Sequence, residues 1–187
     1  MTDDGQLAGL AARLHTLEAQ EAMRHTMARY LDLCDVPSAA ADPETVLAEL
    51  AQLFTPRAIW EGIGPEYTGK FGRTTGRHQV ARKVGGYLPP NRHFARNAHL
   101  LGSEQLRVDG DRGHGQWLMQ QLSSYDPSVG SPDELLCARL TIDFDLSVSE
   151  SGCTALIRHF RTQRLFAAAL GPQPAPHDDT ARPKEQK

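Results

Sequence analysis

The sequence predicts an α+β fold in which N-terminal helices pack on a curved, mostly antiparallel sheet that encloses a pocket. Between Leu17 and Asp35, apolar residues recur at steps of four, four, three and four, which places them on one helix face. Between Leu136 and Val148, apolar and polar residues alternate, which is typical of a strand with one buried face. Helical patterns followed by strand patterns indicate one α+β domain, which we assign to residues 1–170. We expect residues 171–187 to be a disordered tail, since they hold four prolines and many charges.

The first part of the chain is expected to form two successive helices. Asp3 or Asp4 can cap a short first helix, because a carboxylate accepts hydrogen bonds from the free N–H groups there. The hydrophobic phase shifts near Thr16, which predicts a second cap and a main helix over 17–35. The apolar face of that helix carries a single hydroxyl, that of Tyr30. Asp35 follows the last turn, where partial negative charge disfavours a carboxylate, and such a broken local rule often marks a functional site.

The middle of the chain changes from helix to strand. Asp42-Pro43 predicts the start of a further helix, and Pro56 is expected to end it. Residues 58–63 are predicted to form a strand. The glycine-rich residues 64–76 are expected to form a hairpin or a flap, and residues 77–84 a short helix.

The C-terminal half is predicted to be antiparallel sheet. Asp109-Gly110 is a hairpin signal, and Gly102 indicates a bulge or bend in the strand before it. The expected strands cover residues 93–108, 112–125, 136–148 and 154–166.

Composition excludes several classes of protein. The chain has 187 residues, 40% hydrophobic and 23% charged, with net charge −3, which suits one globular domain and argues against a nucleic-acid binder. Its three cysteines form no CxxC pair, so we expect neither a disulfide framework nor a zinc site, and a cytoplasmic location. His93 and His99 are six residues apart, which is no recognised metal spacing, so no metal is expected. No apolar run approaches the roughly 20 residues of a membrane span, so no membrane association is expected.

Four runs of sequence together resemble the SnoaL-like branch of the NTF2-like superfamily: LEAQEAMRHTMARYLDLCD, LAQLFTPRAIWEG, AHLLGSEQLRVDGDRGHGQW and IRHFRTQRLF. The resemblance spans residues 17–166. It implies a cone-shaped α+β barrel with a deep apolar pocket, and a homodimer formed through the open face of the sheet. Members include scytalone dehydratase, bile-acid 7α-dehydratase, hexachlorocyclohexane dehydrochlorinase and polyketide cyclases, and the β subunits of aromatic-ring dioxygenases share the fold.

The resemblance also implies a catalytic pair. In the eliminating members, an aspartate after the first long helix pairs with a strand histidine that removes a proton from carbon. Asp35, five residues after Tyr30, matches the aspartate position. His99 and His93 are both candidates for the histidine, and His99 is favoured because its spacing to the Asp-Gly turn fits the family strand. Trp117 appears where scytalone dehydratase has a second histidine, so the dehydratase mechanism does not transfer in full.

The proposed site has a simple chemical basis. An imidazole has an ordinary pKa near 6.5, and a carboxylate bonded to one ring nitrogen fixes the tautomer and stabilises the imidazolium. Tyr30 can donate a hydrogen bond to a substrate oxygen, as a tyrosine of this helix does in the family. The residues expected to line the substrate pocket are His93, Asn97, Trp60, Trp117 and Met119.

These observations favour a cofactor-independent lyase or isomerase that acts on a hydrophobic, oxygenated ring compound such as a steroid, polyketide or aromatic catabolite. The proton would be removed by His99 with Asp35 behind it. The alternative is a non-catalytic ligand-binding protein or a partner subunit resembling a dioxygenase β chain.

Overall fold

Three helices and six strands make up residues 3–37, 42–150 and 152–171, the part of the chain that the computed structural model describes. The predicted disordered tail lies outside this range except for Gly171. In chain order the elements are α1 (Asp3–Cys34), α2 (Pro43–Gln52), β1 (Phe54–Ile63), β2 (Arg73–Thr75), α3 (Arg77–Gly85), β3 (Phe94–Asp109), β4 (Arg112–Tyr125), β5 (Glu134–Ser149) and β6 (Gly152–Ala169).

Helix α1 is continuous, so the predicted break at Thr16 is wrong. The Thr16 hydroxyl donates to the carbonyl of Ala12 at 3.0 Å, within the helix, instead of capping a new one. Leucines such as Leu10 and Leu14 stay exposed on the N-terminal half, and burial begins at Ala19. None of the described helices combines the length and apolarity that a membrane span requires.

The start of α2 is confirmed, but the role of Pro56 is not. Asp42 caps the helix by accepting from the backbone N–H of Thr45 at 2.8 Å. The helix ends at Gln52, and Pro56 lies inside β1, which begins four residues earlier than predicted. The register of β1 against β6 is irregular between Phe54 and Ile59, and such a site tolerates a proline that cannot donate to the ladder.

The glycine-rich segment 64–76 contains a 3₁₀ turn over Pro65–Tyr67 and the short strand β2, which pairs antiparallel with β1. The segment folds back over β1, where Phe71 lies 4.8 Å from Trp60 and 4.6 Å from Tyr67 between ring centroids. Gly62 makes this possible, because a Cβ there would come within 2.6 Å of Phe71. The segment predicted to be a hairpin or a flap is therefore packed against the sheet, and we call its two rings, Tyr67 and Phe71, the aromatic cover.

The six strands form one open sheet in the order β2-β1-β6-β5-β4-β3, in which only β1 and β6 run parallel. The mostly antiparallel sheet is confirmed, but it is not closed, and the helices complete the enclosure of one face. The predicted irregularity at Gly102 is also confirmed, since the β3–β4 register shifts between Gly102 and Gln105.

The core lies between α1 and the inner face of the sheet. The predicted apolar face of α1 is buried throughout, at Ala19, Met23, Met27, Tyr30 and Cys34. The buried hydroxyl of Thr26 donates to the carbonyl of Ala155 at 2.8 Å and ties α1 to β6. The end of α1 is thereby fixed against the sheet, where the candidate site is found.

Candidate functional site

Asp35 is held in place by the backbone on both sides of it. Its N–H donates to the carbonyl of Leu31 at 2.9 Å, which completes the last turn of α1. The next residue, Val36, forms a two-hydrogen-bond bridge with Asn97 of β3, at 2.8 and 3.0 Å. The end of the helix is thus attached to β3 two residues before His99.

Asp35 and His99 form a close pair. Asp35 Oδ1 lies 2.7 Å from His99 Nδ1 and also accepts from the backbone N–H of His99 at 3.1 Å. The His99 side chain is 8% exposed and that of Asp35 is 32% exposed. The last turn of α1 has no basic residue. The negative end of the helix dipole does not stabilise the Asp35 carboxylate, so the two N–H groups of His99 stabilise it instead.

The neighbouring Asn97 indicates which ring nitrogen of His99 carries the proton. Asn97 is buried, and its amide nitrogen donates to the carbonyl of Cys34 at 3.3 Å, while its oxygen accepts from Ser123 at 2.9 Å and from Gln121 at 3.1 Å. The same amide nitrogen lies 3.5 Å from His99 Nε2. Because an N–H group faces Nε2, the neutral ring keeps a lone pair there and donates from Nδ1 to Asp35.

The pair lies at the wall of an apolar cavity of about 190 Å³, which His99 and Asn97 help to line. Eight of the residues that line it are aromatic: Tyr30, Trp60, Tyr67, Phe71, Tyr87, Phe94, Tyr125 and Phe160. Met119, predicted to bind substrate, lines it as well. The cavity is therefore suited to a ring compound, with an imidazole nitrogen on one side.

Tyr30 points into this cavity with its hydroxyl already engaged. It accepts from the indole N–H of Trp60 at 3.1 Å, and the buried Cys34 thiol lies beside it. Burial raises the pKa of Tyr30 well above its usual value, and burial raises the pKa of Cys34 to about 12. Both groups keep their protons at neutral pH, so Tyr30 is a hydrogen-bond donor and Cys34 is not a thiolate.

His93, the other histidine candidate, also lines the cavity but contacts aromatic rings instead of a carboxylate. Its ring centroid lies 4.4 Å from that of Phe94, 5.0 Å from Tyr87 and 5.6 Å from Tyr125. Partial burial lowers the pKa of His93. The structure therefore brings His99, and not His93, together with Asp35.

Trp117 lies away from the main cavity. It packs against Phe144, with ring centroids 6.4 Å apart, and its indole N–H donates to Glu104 at 3.1 Å. It lines a separate groove that Asp35 and His99 also line. Trp117 therefore does not line the aromatic cavity, and its role in substrate binding stays a prediction.

Sequence reasoning missed several lining residues. Gln121 and Ser123 follow Met119 at steps of two on β4, so the strand period could have identified Gln121 as facing the same side. Arg164 lies two residues beyond Thr162 on β6, so the same period places it on the cavity face with Phe160 and Thr162. Within the described ranges, no group of three or more His, Cys, Asp or Glu side chains is arranged to hold a metal ion.

Comparison with known proteins gives a family and a fold. A family model described as a SnoaL-like domain matches residues 15–133. A hexachlorocyclohexane dehydrochlorinase from Novosphingobium barchaimii is similar in structure, with TM-score 0.62 and 16% identity over 89% of this chain and 94% of that one. A candidate scytalone dehydratase from Novosphingobium aromaticivorans has TM-score 0.60 and 15% identity over 83% and 90%.

A candidate aromatic-ring hydroxylase from Novosphingobium aromaticivorans has TM-score 0.57 and 15% identity over 82% of this chain and 94% of that one. No functionally curated protein matches the sequence. At these identities the solved structures support the fold alone.

Proposed function

The chain belongs to the SnoaL-like domain family, and from this premise we propose that it is a cofactor-independent lyase or isomerase. Its substrate would be a hydrophobic, oxygenated ring compound such as a steroid, polyketide or aromatic catabolite. The observation that carries the proposal is the Asp35–His99 pair, 2.7 Å apart, at the wall of an apolar cavity.

His99 is the proposed base. Its Nε2 lone pair, which the Asn97 amide N–H approaches only to the long distance of 3.5 Å, takes a proton from a substrate carbon. Asp35 stabilises the imidazolium that results, without itself taking the proton. The electron pair of the broken C–H bond stays on the substrate as an enolate. An isomerase returns the proton to a second carbon, whereas a lyase expels a leaving group.

Tyr30 is the proposed donor to the enolate oxygen. The Cys34 sulfur beside its hydroxyl is a weak acceptor, so a substrate oxygen can take the hydroxyl proton's hydrogen bond at little cost. The indole N–H of Trp60 donates to the same hydroxyl at 3.1 Å, which polarises it and fixes its direction.

The proposal can be tested before the substrate is known. The native chain is incubated in D₂O with a panel of cyclic ketones and ring enones, and deuterium incorporation at carbon is followed by mass spectrometry. We expect exchange with at least one member, and a loss of about 10²- to 10⁴-fold in the His99→Ala variant, the range that a general base contributes.

Folding is checked separately by circular dichroism and thermal unfolding of the variant. Full exchange activity in folded His99→Ala, or no exchange by the native chain across the panel, would contradict the proposed base.

The second candidate is a non-catalytic ligand-binding protein or partner subunit. It is favoured by the structural similarity to the aromatic-ring hydroxylase candidate and by the aromatic cavity, which binding alone would explain. It predicts tight binding without exchange, and a stable complex with a larger iron-containing chain in a pull-down.

The homodimer also stays a prediction, and exposed Leu100 and Leu122 on the outer sheet face support it.

A further inference from the structure

A guanidinium group lines the otherwise apolar cavity. Arg164 lies on β6 at a position that, like Phe160 and Thr162, contributes to the cavity wall. Its guanidinium carbon is 5.8 Å from the centre of the Tyr67 ring, which belongs to the aromatic cover. A permanent positive charge is therefore placed where a ring-shaped ligand would lie.

This charge has no anionic partner among the described residues. The Nε of Arg164 is buried without a hydrogen-bond partner, and the nearby Glu134 accepts instead from the hydroxyl of Tyr125 at 2.9 Å. Arg161, three residues earlier, differs because its guanidinium reaches Asp143, although its Nε is also unpaired. Arg164 is partly buried, and no ion pair within the described part of the chain holds its guanidinium, so the group is free to pair with an anion that enters the cavity.

We infer that Arg164 binds a carboxylate of the substrate, so that the cavity selects ring acids over neutral rings. A guanidinium matches a carboxylate with two parallel hydrogen bonds, and apolar walls strengthen that pairing. The rings of Tyr67 and Phe71 would cover the apolar part of the ligand. This inference deepens the proposed function, since it assigns the substrate class of the same cavity.

Arg164, the proposed carboxylate-binding group, lies well away from His99, the proposed base. His99 lies on β3, three strands away from β6, which corresponds to about 14 Å along a sheet with ordinary strand spacing. Curvature of the sheet shortens this distance. The carboxylate would therefore be several bonds from the carbon that loses its proton, and would orient the ring without taking part in the reaction.

The test is a matched pair of ligands, 2-naphthoate and its neutral amide 2-naphthamide, titrated against the native chain by calorimetry. We expect the carboxylate to bind at least about 10-fold tighter, because a charge-assisted bidentate pair exceeds a neutral hydrogen bond. The Arg164→Met variant should bind the two ligands within about twofold of each other, with amide affinity unchanged. Equal affinities in the native chain, no binding of the carboxylate, or a preference retained in Arg164→Met would overturn the inference.

Two control variants make the result specific. Arg161→Met removes a paired guanidinium from the opposite face of the same strand and should keep the carboxylate preference; loss of the preference there would indicate a general charge effect and would count against Arg164. His159→Gln should also keep it, since this side chain pairs with Glu61 and does not line the cavity. If the native chain showed no carboxylate preference but His99-dependent deuterium exchange, only the carboxylate site would be rejected. If it showed the carboxylate preference but no such exchange, only the catalytic proposal would be rejected.

Discussion

Two faces of the same sheet carry histidine–carboxylate pairs of nearly equal geometry. On the inner face, His99 Nδ1 lies 2.7 Å from Asp35. On the outer face, His159 Nε2 lies 2.7 Å from Glu61, and His114 Nδ1 lies 2.8 Å from Asp143. The distance between the two groups therefore does not identify a candidate catalytic pair.

The surroundings of the pairs do differ. Asp143 is shared with Arg161 and Arg158, and Glu61 also lies 3.5 Å from Arg73. Asp35 has no arginine partner in the described residues; its oxygen accepts only from His99. A guanidinium neutralises an outer carboxylate before any proton arrives on the imidazole. Asp35 can direct its whole charge to the imidazolium of His99, and this is the property that a base in an apolar cavity needs.

The largest effect should come from removing that charge. In Asp35→Asn we expect deuterium exchange to fall by about 10²- to 10⁴-fold, because an amide can present N–H to Nδ1, favour the wrong tautomer and leave the imidazolium without a counter-charge. The measurement is the exchange rate with whichever ring ketone the native chain accepts.

Asp143→Asn is the matched control on the outer face, and it should exchange at the native rate. If both variants lost exchange activity to a similar extent, the inner pair could not be distinguished from the outer pairs. An Asp35→Asn variant that exchanged at the native rate would lead to the same conclusion.

A smaller effect is expected from Tyr30→Phe. Loss of the donor should slow exchange by about 10²- to 10³-fold, the range of a single oxyanion donor. The indole N–H of buried Trp60 would lose its acceptor, which should destabilise the fold by about 1–3 kcal/mol. Exchange kinetics and urea unfolding of the same sample separate the two effects.

Cys34→Ala is the control for Tyr30, since it removes the neighbouring thiol and keeps the hydroxyl. If this variant slowed exchange as much as Tyr30→Phe, the hydroxyl would act through packing around α1 and not through the substrate.

Sequence patterns pointed to the inner pair because each of its members lies at a definite distance from a strong sequence signal. The apolar face of α1 predicts where the helix ends, so Asp35 stands out there. The Asp-Gly turn at 109–110 fixes the register of β3 and β4, and hence the position of His99. The resemblance to the SnoaL-like branch then linked two residues that are 64 positions apart.

Other features depend on tertiary contacts that no local pattern encodes. The hydroxyl of Thr16 can cap a helix or bond within one, and only the complete helix decides between them. Pro56 is tolerated in β1 because the ladder is irregular there. The outer ion pairs join strands β1, β4, β5 and β6, whose order was not predicted.

The smallest effect is expected from breaking an outer pair. His159→Gln removes an imidazole whose pair distance equals that of His99, yet exchange should stay within about twofold of the native rate, since the side chain lies on the face away from the cavity. Glu61 keeps Arg73 as a neighbour, so urea unfolding should show a loss of no more than about 1 kcal/mol, as for a partly exposed ion pair. A loss of exchange comparable to that of His99→Ala, without loss of folding, would mean that an imidazole beside a carboxylate matters on either face of the sheet. The apolar cavity would then no longer distinguish the inner pair, and the assignment of His99 as the base would have to be withdrawn.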